Sequence, residues 1–225
     1  GGREGVGYGW RMLMNCLAAG RSISLPATAT GAAKLAARTS GAYGRVRVQF
    51  NTPIGRFEGV EEALARIGGN TYMMDAARVM TAGAVDLGEK PSVISAIVKY
   101  HLTERSRQAI NDAMDVHGGK GICMGPSNYL ARTYQQTPVG ITVEGANILT
   151  RSMMIFGQGA IRCHPYVLKE IHAANDSNAA RASLEFDQTL MGHVAFSFGN
   201  SMRSLLHGLT GASLADAPGK AAPEI

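Results

Sequence analysis

Apolar residues recur at helical spacing in four long stretches of the chain, residues 9–43, 57–87, 92–116 and 145–159. The first stretch is rich in alanine and other small residues, and Pro26 predicts a kink inside it. Polar segments containing glycine and proline separate the stretches. No stretch alternates apolar and polar residues as a half-buried strand does. We therefore expect an all-α fold, an antiparallel four-helix bundle with additional C-terminal helices.

The pattern changes after residue 162. A short helix is predicted over residues 166–175, and a long helix over residues 179–209 repeats apolar residues in steps of three and four. Two interpretations of this apolar stripe stay open: it packs against the bundle, or it begins a further domain. From residue 210 the chain is small and polar and contains prolines, which predicts disorder.

Composition and charge narrow the classes of function. The formal net charge is +5, but the basic residues are scattered and aromatic residues are few. The chain therefore lacks the basic and aromatic surface that single-strand nucleic-acid binders use, and we expect no nucleic-acid partner. The default interpretation of the arginines is a scatter of solvated side chains, and a small ligand rich in phosphate is a better functional alternative than nucleic acid.

The cysteines and the chain start bear on location. Cys16, Cys123 and Cys163 form no Cys-x-x-Cys pair, which argues against a disulfide framework or a zinc site and fits a reducing cytosol. No apolar run approaches the ~20 residues of a membrane-spanning helix, and no signal peptide is visible. We expect a cytoplasmic protein, with a peripheral position on the inner membrane left open. The glycine-rich opening without Met predicts a linker in a longer protein.

Glu144 is the most prominent candidate for chemistry. It is the only acidic residue between Asp115 and Glu170, and Gly145 after it lets a ligand approach the backbone closely. One interpretation is a carboxylate that complements the dipole of a helix start. The other is a general base: the following residues are largely apolar and predict a buried helix, and burial raises the pKa of a carboxyl group.

Three segments, in order, resemble the C-terminal domain of the acyl-CoA dehydrogenases over about residues 7–159. Leu17-Ala18-Ala19-Gly20-Arg21 resembles the family's Leu-x-x-x-Arg. Residues 47–54 resemble its Arg-x-Gln-Phe-Gly-x-Pro-Ile loop, with Asn51 in place of the usual Gly. Residues 115–121 and 144–146 resemble its Gln-x-x-Gly-Gly-x-Gly turn and Glu-Gly-Thr segment. The departures there are Asp115 for Gln and Ala146 for Thr, and Glu58 stands where Gln is common.

The resemblance implies an FAD-dependent enzyme whose catalytic base is Glu144 and whose substrate contacts include Gly20, Arg21 and Gly145. The flavin-contacting positions that it implies are Arg47, Gln49, Phe50, Phe57, Glu58, Asp115, Val116, His117, Gly118, Gly119, Ala146, Asn147 and Ile148. Arg47 matches the Arg that reaches the flavin diphosphate of a neighbouring subunit, which implies a homodimer or a higher homo-oligomer. No metal is implied.

With Ile-Ser-Leu-Pro-Ala and Arg-Cys-His-Pro, the chain looks most like the bacterial long-chain fatty acyl-CoA dehydrogenases. These convert fatty acyl-CoA to trans-2-enoyl-CoA in β-oxidation, with an electron-transfer flavoprotein as acceptor. By this resemblance residues 1–9 are a linker from a missing β-domain, residues 10–160 bind flavin and acyl-CoA, and residues 163–225 begin an extra C-terminal helical domain. We expect the chain alone to be inactive. The alternatives are an acyl-CoA oxidase and a non-catalytic helical interaction module.

Overall fold

The computed structural model describes residues 3–89 and 92–215, which form two compact units divided between Gln158 and Gly159. The three long helices of the first unit are α1 (Gly9–Val46), α2 (Glu58–Asp86) and α3 (Ser92–His117). They pack against one another, and their bounds lie within three residues of the predicted ones at every end. The predicted all-α fold is confirmed.

Small residues make the centre of this unit. Along α1 the buried residues are mostly small, among them Ala33 and Ala36, which let the helices approach closely. Larger side chains from the other two helices fill the remaining space, including Ile67 and Met74 of α2 and Ile110 of α3. The packing explains why α1 tolerates the buried Pro26 within its length: tertiary contacts outweigh one lost backbone hydrogen bond.

A tight hairpin joins α1 to α2, where the sequence predicts only a loop. Its strands are β1 (Val48–Gln49) and β2 (Thr52–Pro53), paired antiparallel. Phe50 and Asn51 between them both have a left-handed backbone, with φ of 52° and 58°. Two such residues are what a type I′ turn requires, and asparagine adopts this conformation more readily than most residues. A 3₁₀ turn, Ile54–Arg56, then leads into α2.

The rest of the first unit consists of shorter helices. In chain order they are α4 (Gly119–Ile122), α5 (Ala131–Thr142), α6 (Asn147–Leu149) and a π-helical segment, Thr150–Gln158. Three of these elements contact α3: α4, α5 and the π-helical segment. The helix predicted over residues 145–159 is therefore present, but most of it has π-helical rather than α-helical hydrogen bonding.

The second unit contains α7 (Gly159–Cys163), α8 (Val167–Ala174) and α9 (Ala179–Leu209). Helix α8 packs on α9, whose bounds match the prediction to the residue. None of the residues of α9 is fully buried. Disorder is predicted from residue 210, but residues 210–215 form hydrogen-bonded turns, and the tail beyond residue 215 lies outside the described residues. Among the helices that the structure describes, none is long and apolar enough to cross a membrane.

Candidate active site

Glu144 lies in a strained turn between α5 and α6. Its φ is 53° and that of Gly145 is 92°, so both residues have a left-handed backbone. Glycine adopts this conformation freely, but a residue with a side chain is disfavoured there by about 1–3 kcal/mol unless its surroundings hold it. The candidate base is thus also the point of backbone strain in this turn.

The Glu144 carboxylate faces the backbone of α1 at Gly20. A Cβ atom added to Gly20 would lie 3.8 Å from Oε1 of Glu144, so no α1 side chain intervenes at this position. The other carboxylate oxygen, Oε2, is buried and has no hydrogen-bond partner among the residues that the structure describes. A buried acceptor oxygen of this kind is uncommon in proteins. It is available to accept a proton from a bound molecule.

Arg21, the residue after Gly20, is 2 % exposed and electrostatically coupled to Glu144. Burial lowers the pKa of the Arg21 guanidinium, and the neighbouring carboxylate opposes that shift. The structure therefore brings together Gly20, Arg21, Glu144 and Gly145, the four residues that the resemblance assigned to substrate and catalysis.

Lys99 of α3 is a member of this site that the sequence analysis missed. Its side chain is fully buried, and Nζ donates hydrogen bonds to the carbonyls of Ile141 (3.2 Å) and Gly145 (2.8 Å) and to Oδ1 of Asn147 (2.7 Å). Burial lowers the pKa of Lys99 to about 8, and the positive charge of Arg21 adds to the shift, whereas nearby carboxylates oppose it. One signal exists in the sequence: Lys99 falls on the three- and four-residue spacing of the buried α3 face.

Asn147, a predicted flavin contact, is 3 % exposed and fully engaged in the same network. Its amide Nδ2 donates to Oγ1 of Thr103 (3.0 Å) and to Oε1 of Glu104 (2.8 Å). Of the two predicted contacts beside it, Ala146 is half-buried and Ile148 is 85 % exposed.

The helix after Glu144 is less buried than its apolar sequence predicts. Ile148 is 85 % exposed and Phe156 67 % exposed. The groups electrostatically coupled to Glu144 are the cations Arg21 and Lys99. The expectation that this helix is buried is wrong, because periodicity shows which residues share a face and not whether that face is covered.

The predicted flavin contacts on the hairpin lie together on an exposed surface. Phe50 is 90 % exposed, and its ring meets that of Phe57 edge to face with centroids 6.5 Å apart. Arg47 is exposed and forms no ion pair with a described side chain. Gln49 and Glu58 are exposed as well. An uncommitted guanidinium beside two accessible rings suits a ligand that has both phosphates and flat rings.

The turn at residues 115–119 divides into exposed and buried positions. Asp115, Gly118 and Gly119 are exposed, whereas Val116 and His117 are buried. Nδ1 of His117 donates to the carbonyl of Ala113 and Nε2 accepts from the Tyr129 hydroxyl, both at 2.7 Å. Burial lowers the pKa of His117, which fits a neutral ring with this tautomer. A polar contact from His117 to a flavin would have to come from its backbone.

The hairpin between α1 and α2 and the turn at residues 115–119 lie at the same end of the bundle. The ring of His117 stacks on Tyr43 at 4.4 Å, and Tyr43 accepts a backbone hydrogen bond from Arg47. Lys99, which marks the Glu144 end, is about 27 Å from His117 along α3 at ~1.5 Å per residue. The predicted flavin contacts thus form two groups at opposite ends of one helix.

A family model described as "Acyl-CoA dehydrogenase, C-terminal domain" matches residues 7–156, more than half of the chain. The chain belongs to the acyl-CoA dehydrogenase family. A second model, "Acyl-CoA dehydrogenase, C-terminal, bacterial type", matches residues 161–224. Acyl-CoA dehydrogenases are oxidoreductases that carry FAD, and the exposed Arg47, Phe50 and Phe57 fit part of such a group.

Two curated relatives and one solved structure illustrate the relation. The chain is 34% identical over 116 residues to 3-(aryl)acrylate reductase of Clostridium sporogenes, covering 50% of this chain and 30% of that protein. It is 32% identical over 121 residues to the probable acyl-CoA dehydrogenase FadE10 of Mycobacterium tuberculosis, covering 53% and 18%. The solved structure of butyryl-CoA dehydrogenase from Megasphaera elsdenii superposes on the present chain with a TM-score of 0.60 at 25% identity. The superposition covers 68% of the present chain and 39% of butyryl-CoA dehydrogenase. The chain thus spans less than a third of the length of either curated relative.

Proposed function

We propose that the chain supplies the catalytic base and part of the flavin site of an FAD-dependent enzyme that oxidises long-chain fatty acyl-CoA to trans-2-enoyl-CoA in β-oxidation. The observation that carries this proposal is the buried Oε2 of Glu144, which has no hydrogen-bond partner among the described residues and lies in a strained turn that faces glycine backbone. A helix-start charge would need neither burial nor strain.

The proposed chemistry at Glu144 is removal of the α-proton of the acyl thioester. The thioester acidifies that proton, and a carboxylate oxygen of Glu144 accepts it as general base. The electron pair of the broken α C–H bond forms the new double bond. A bound FAD would supply the acceptor for the β-hydrogen, which leaves as hydride. The backbone at Gly20 and Gly145 leaves room for the acyl group beside the carboxylate.

The cations near the base have a separate role in this proposal. Arg21 and Lys99 are both electrostatically coupled to Glu144, and Lys99 also to Glu104, so the site contains two cations and two carboxylates. In this proposal the two cations hold the Glu144 carboxylate by electrostatic attraction at the place where the α-proton arrives.

Flavin binding in the proposal involves two copies of the chain. Arg47 would pair with the diphosphate, Phe50 and Phe57 would contact the rings, and the backbone of residues 115–119 would contribute at the same end. Their distance of about 27 Å along α3 from the Glu144 end supports a flavin shared with a second subunit. We therefore propose a homodimer or a higher homo-oligomer.

The decisive experiment uses the full-length enzyme under anaerobic conditions. Purified protein is expected to be yellow, and a long-chain acyl-CoA is expected to bleach the flavin. Glu144→Gln should stay yellow, with flavin reduction slowed by about 10²–10⁴-fold, because a positioned general base contributes that much. Glu61→Gln, an exposed carboxylate in the first turn of α2, is the matched control and should be reduced like wild type.

Two results would contradict the proposal. Fast bleaching of Glu144→Gln would remove Glu144 as the base. A colourless protein that takes up no added FAD would favour the non-catalytic helical interaction module.

The electron acceptor is a further part of the proposal. We propose an electron-transfer flavoprotein. The acyl-CoA oxidase alternative predicts oxygen consumption with hydrogen peroxide formation during turnover. A reductase runs the same transfers in reverse, and one relative has that name. Reoxidation of the reduced flavin by an enoyl-CoA therefore has to be measured alongside.

We expect the enzyme in the cytoplasm, with peripheral attachment to the inner membrane as the alternative.

A further inference from the structure

The Lys99 ammonium connects both ends of the turn that carries Glu144. Its three N–H groups are all used, on the carbonyls of Ile141 and Gly145 and on the side chain of Asn147. One acceptor precedes Glu144 in the chain and two follow it. A single buried group from α3 therefore closes the segment in which Glu144 has its left-handed backbone.

On the upstream side, Lys99 satisfies the end of α5. Ile141 lies in the last turn of that helix, where carbonyls have no partner within the helix. A cation at a helix C-terminus is favourable because the helix dipole places partial negative charge there. Loss of the ammonium would leave the carbonyl of Ile141 without this donor, next to the residues that lead into Glu144.

On the downstream side, Lys99 is joined to α3 by a second route. Asn147 accepts from Lys99 and donates to Thr103 and Glu104, which lie four and five residues after Lys99 on the same helix. Gly145 has one additional donor, the hydroxyl of Thr150 at 3.0 Å. The turn is thus attached to α3 at several points. Lys99 is the residue whose hydrogen bonds reach both sides of Glu144 in the chain.

We propose that Lys99 is the positioning residue for the general base: its ammonium holds the turn at residues 143–146 in the conformation that points the Glu144 carboxylate toward Gly20. The inference rests on the proposed function of Glu144. Lys99 is fully buried, so it acts through the turn and does not touch substrate.

The test compares Lys99→Met with a matched lysine in the full-length holoenzyme. Methionine keeps much of the length and volume of the side chain but removes the charge and all three donors. Lys34→Met is the control, since Lys34 lies on α1, is about half exposed and pairs only with Asp75 among the described residues. Lys99→Gln keeps amide donors without the charge, and it replaces Lys99→Met in the test if that variant gives no soluble holoenzyme.

The expected results separate positioning from stability alone. Flavin reduction by saturating acyl-CoA should slow by about 100-fold in Lys99→Met, because a displacement of ~1 Å at a reacting group is enough for such a loss. Binding of the enoyl-CoA product should stay within about threefold, as expected when only the transition state is affected. Amide hydrogen exchange of residues 141–147 should become faster by about tenfold, and Lys34→Met should change none of these.

A lower melting temperature with unchanged flavin reduction and unchanged exchange at residues 141–147 would overturn the inference. That result would make Lys99 a structural residue only. Failure of the proposed function looks different, because wild-type flavin would then not be bleached by acyl-CoA at all. In that case the hydrogen-exchange comparison still decides whether Lys99 holds the turn.

Discussion

Helix α3 has a buried, hydrogen-bonded polar residue near each end, and the two are held in different ways. Lys99 donates to three acceptors, all outside its own helix and all within residues 141–147. His117 bonds once to its own helix, at Ala113, and once to Tyr129, and its ring stacks on Tyr43. The first residue holds a distant turn in place, and the second closes the end of its own helix.

Lys99 and His117 differ in charge, and this difference shows which end of α3 serves function. A neutral imidazole with both nitrogens bonded is buried at little cost, whereas a buried ammonium is expensive even when it is hydrogen-bonded. At the Lys99 end the protein combines that ammonium with the buried Arg21 and the left-handed Glu144. The non-glycine left-handed residues at the His117 end, Phe50 and Asn51, are exposed, and no buried cation lies at that end among the described residues. Buried charge and backbone strain coincide where the candidate base lies, as expected when strain serves function.

The largest effect on stability is expected from His117→Phe. Phenylalanine keeps a ring against Tyr43 but removes both hydrogen bonds, so the carbonyl of Ala113 and the hydroxyl of Tyr129 lose a buried partner. We expect the free energy of unfolding, measured in urea, to fall by about 2–3 kcal/mol. Tyr129→Phe removes only one bond and should cost about 1 kcal/mol. If His117→Phe were as stable as wild type, the His117 end would not be the structural one.

The long helices of both units could be predicted because long apolar repeats in the sequence determine which faces are buried. Helix α9 shows this best, since its bounds match the prediction to the residue. The hairpin tip was not predicted, because Phe50 in a left-handed conformation follows no local sequence rule. The π-helical segment at Thr150–Gln158 has no periodic signal of its own either.

The chemistry of the site could be predicted only in part. Gly20, Arg21 and Glu144 were found through resemblance, and the structure brings them together. Lys99 was missed because a lysine in a helix is normally solvent-exposed. Two of its three acceptors are backbone carbonyls more than 40 residues away in the chain, and these leave no trace in side-chain composition.

A smaller effect on the free energy of unfolding is expected from the protonation of Lys99. Its pKa is about 8 in the folded protein against 10.5 for the ordinary side chain, so the unfolded chain binds more protons between these values. The cost of burying the ammonium is therefore fully present below pH 8 and disappears as the pH rises toward 10.5. The stability of wild type relative to Lys99→Met should increase by about 2 kcal/mol between pH 7 and pH 10. The free energies of unfolding of wild type and Lys99→Met are measured in urea at both pH values. If they differed by the same amount at pH 7 and pH 10, the Lys99 end of α3 would not differ from the His117 end in the cost of burying charge.

The smallest effect on stability, and the sharpest test of where substrate meets the base, is expected from Gly20→Ala. The added methyl group would lie 3.8 Å from Oε1 of Glu144, an ordinary contact that needs no rearrangement. Gly31→Ala is the matched control, because a Cβ at that position of α1 meets nothing within 4 Å. Each substitution should stabilise the helix by about 0.5–1 kcal/mol, because alanine loses less conformational freedom on folding.

The two variants should differ in flavin reduction. Only Gly20→Ala places a methyl group beside the carboxylate, and we expect it to slow reduction by acyl-CoA by roughly tenfold, since the acyl group has to reach the same position. Gly31→Ala should react like wild type. If both variants react equally fast, the Gly20 side of Glu144 is not the side from which the α-proton arrives, and the strained turn would then have to present its carboxylate in another direction.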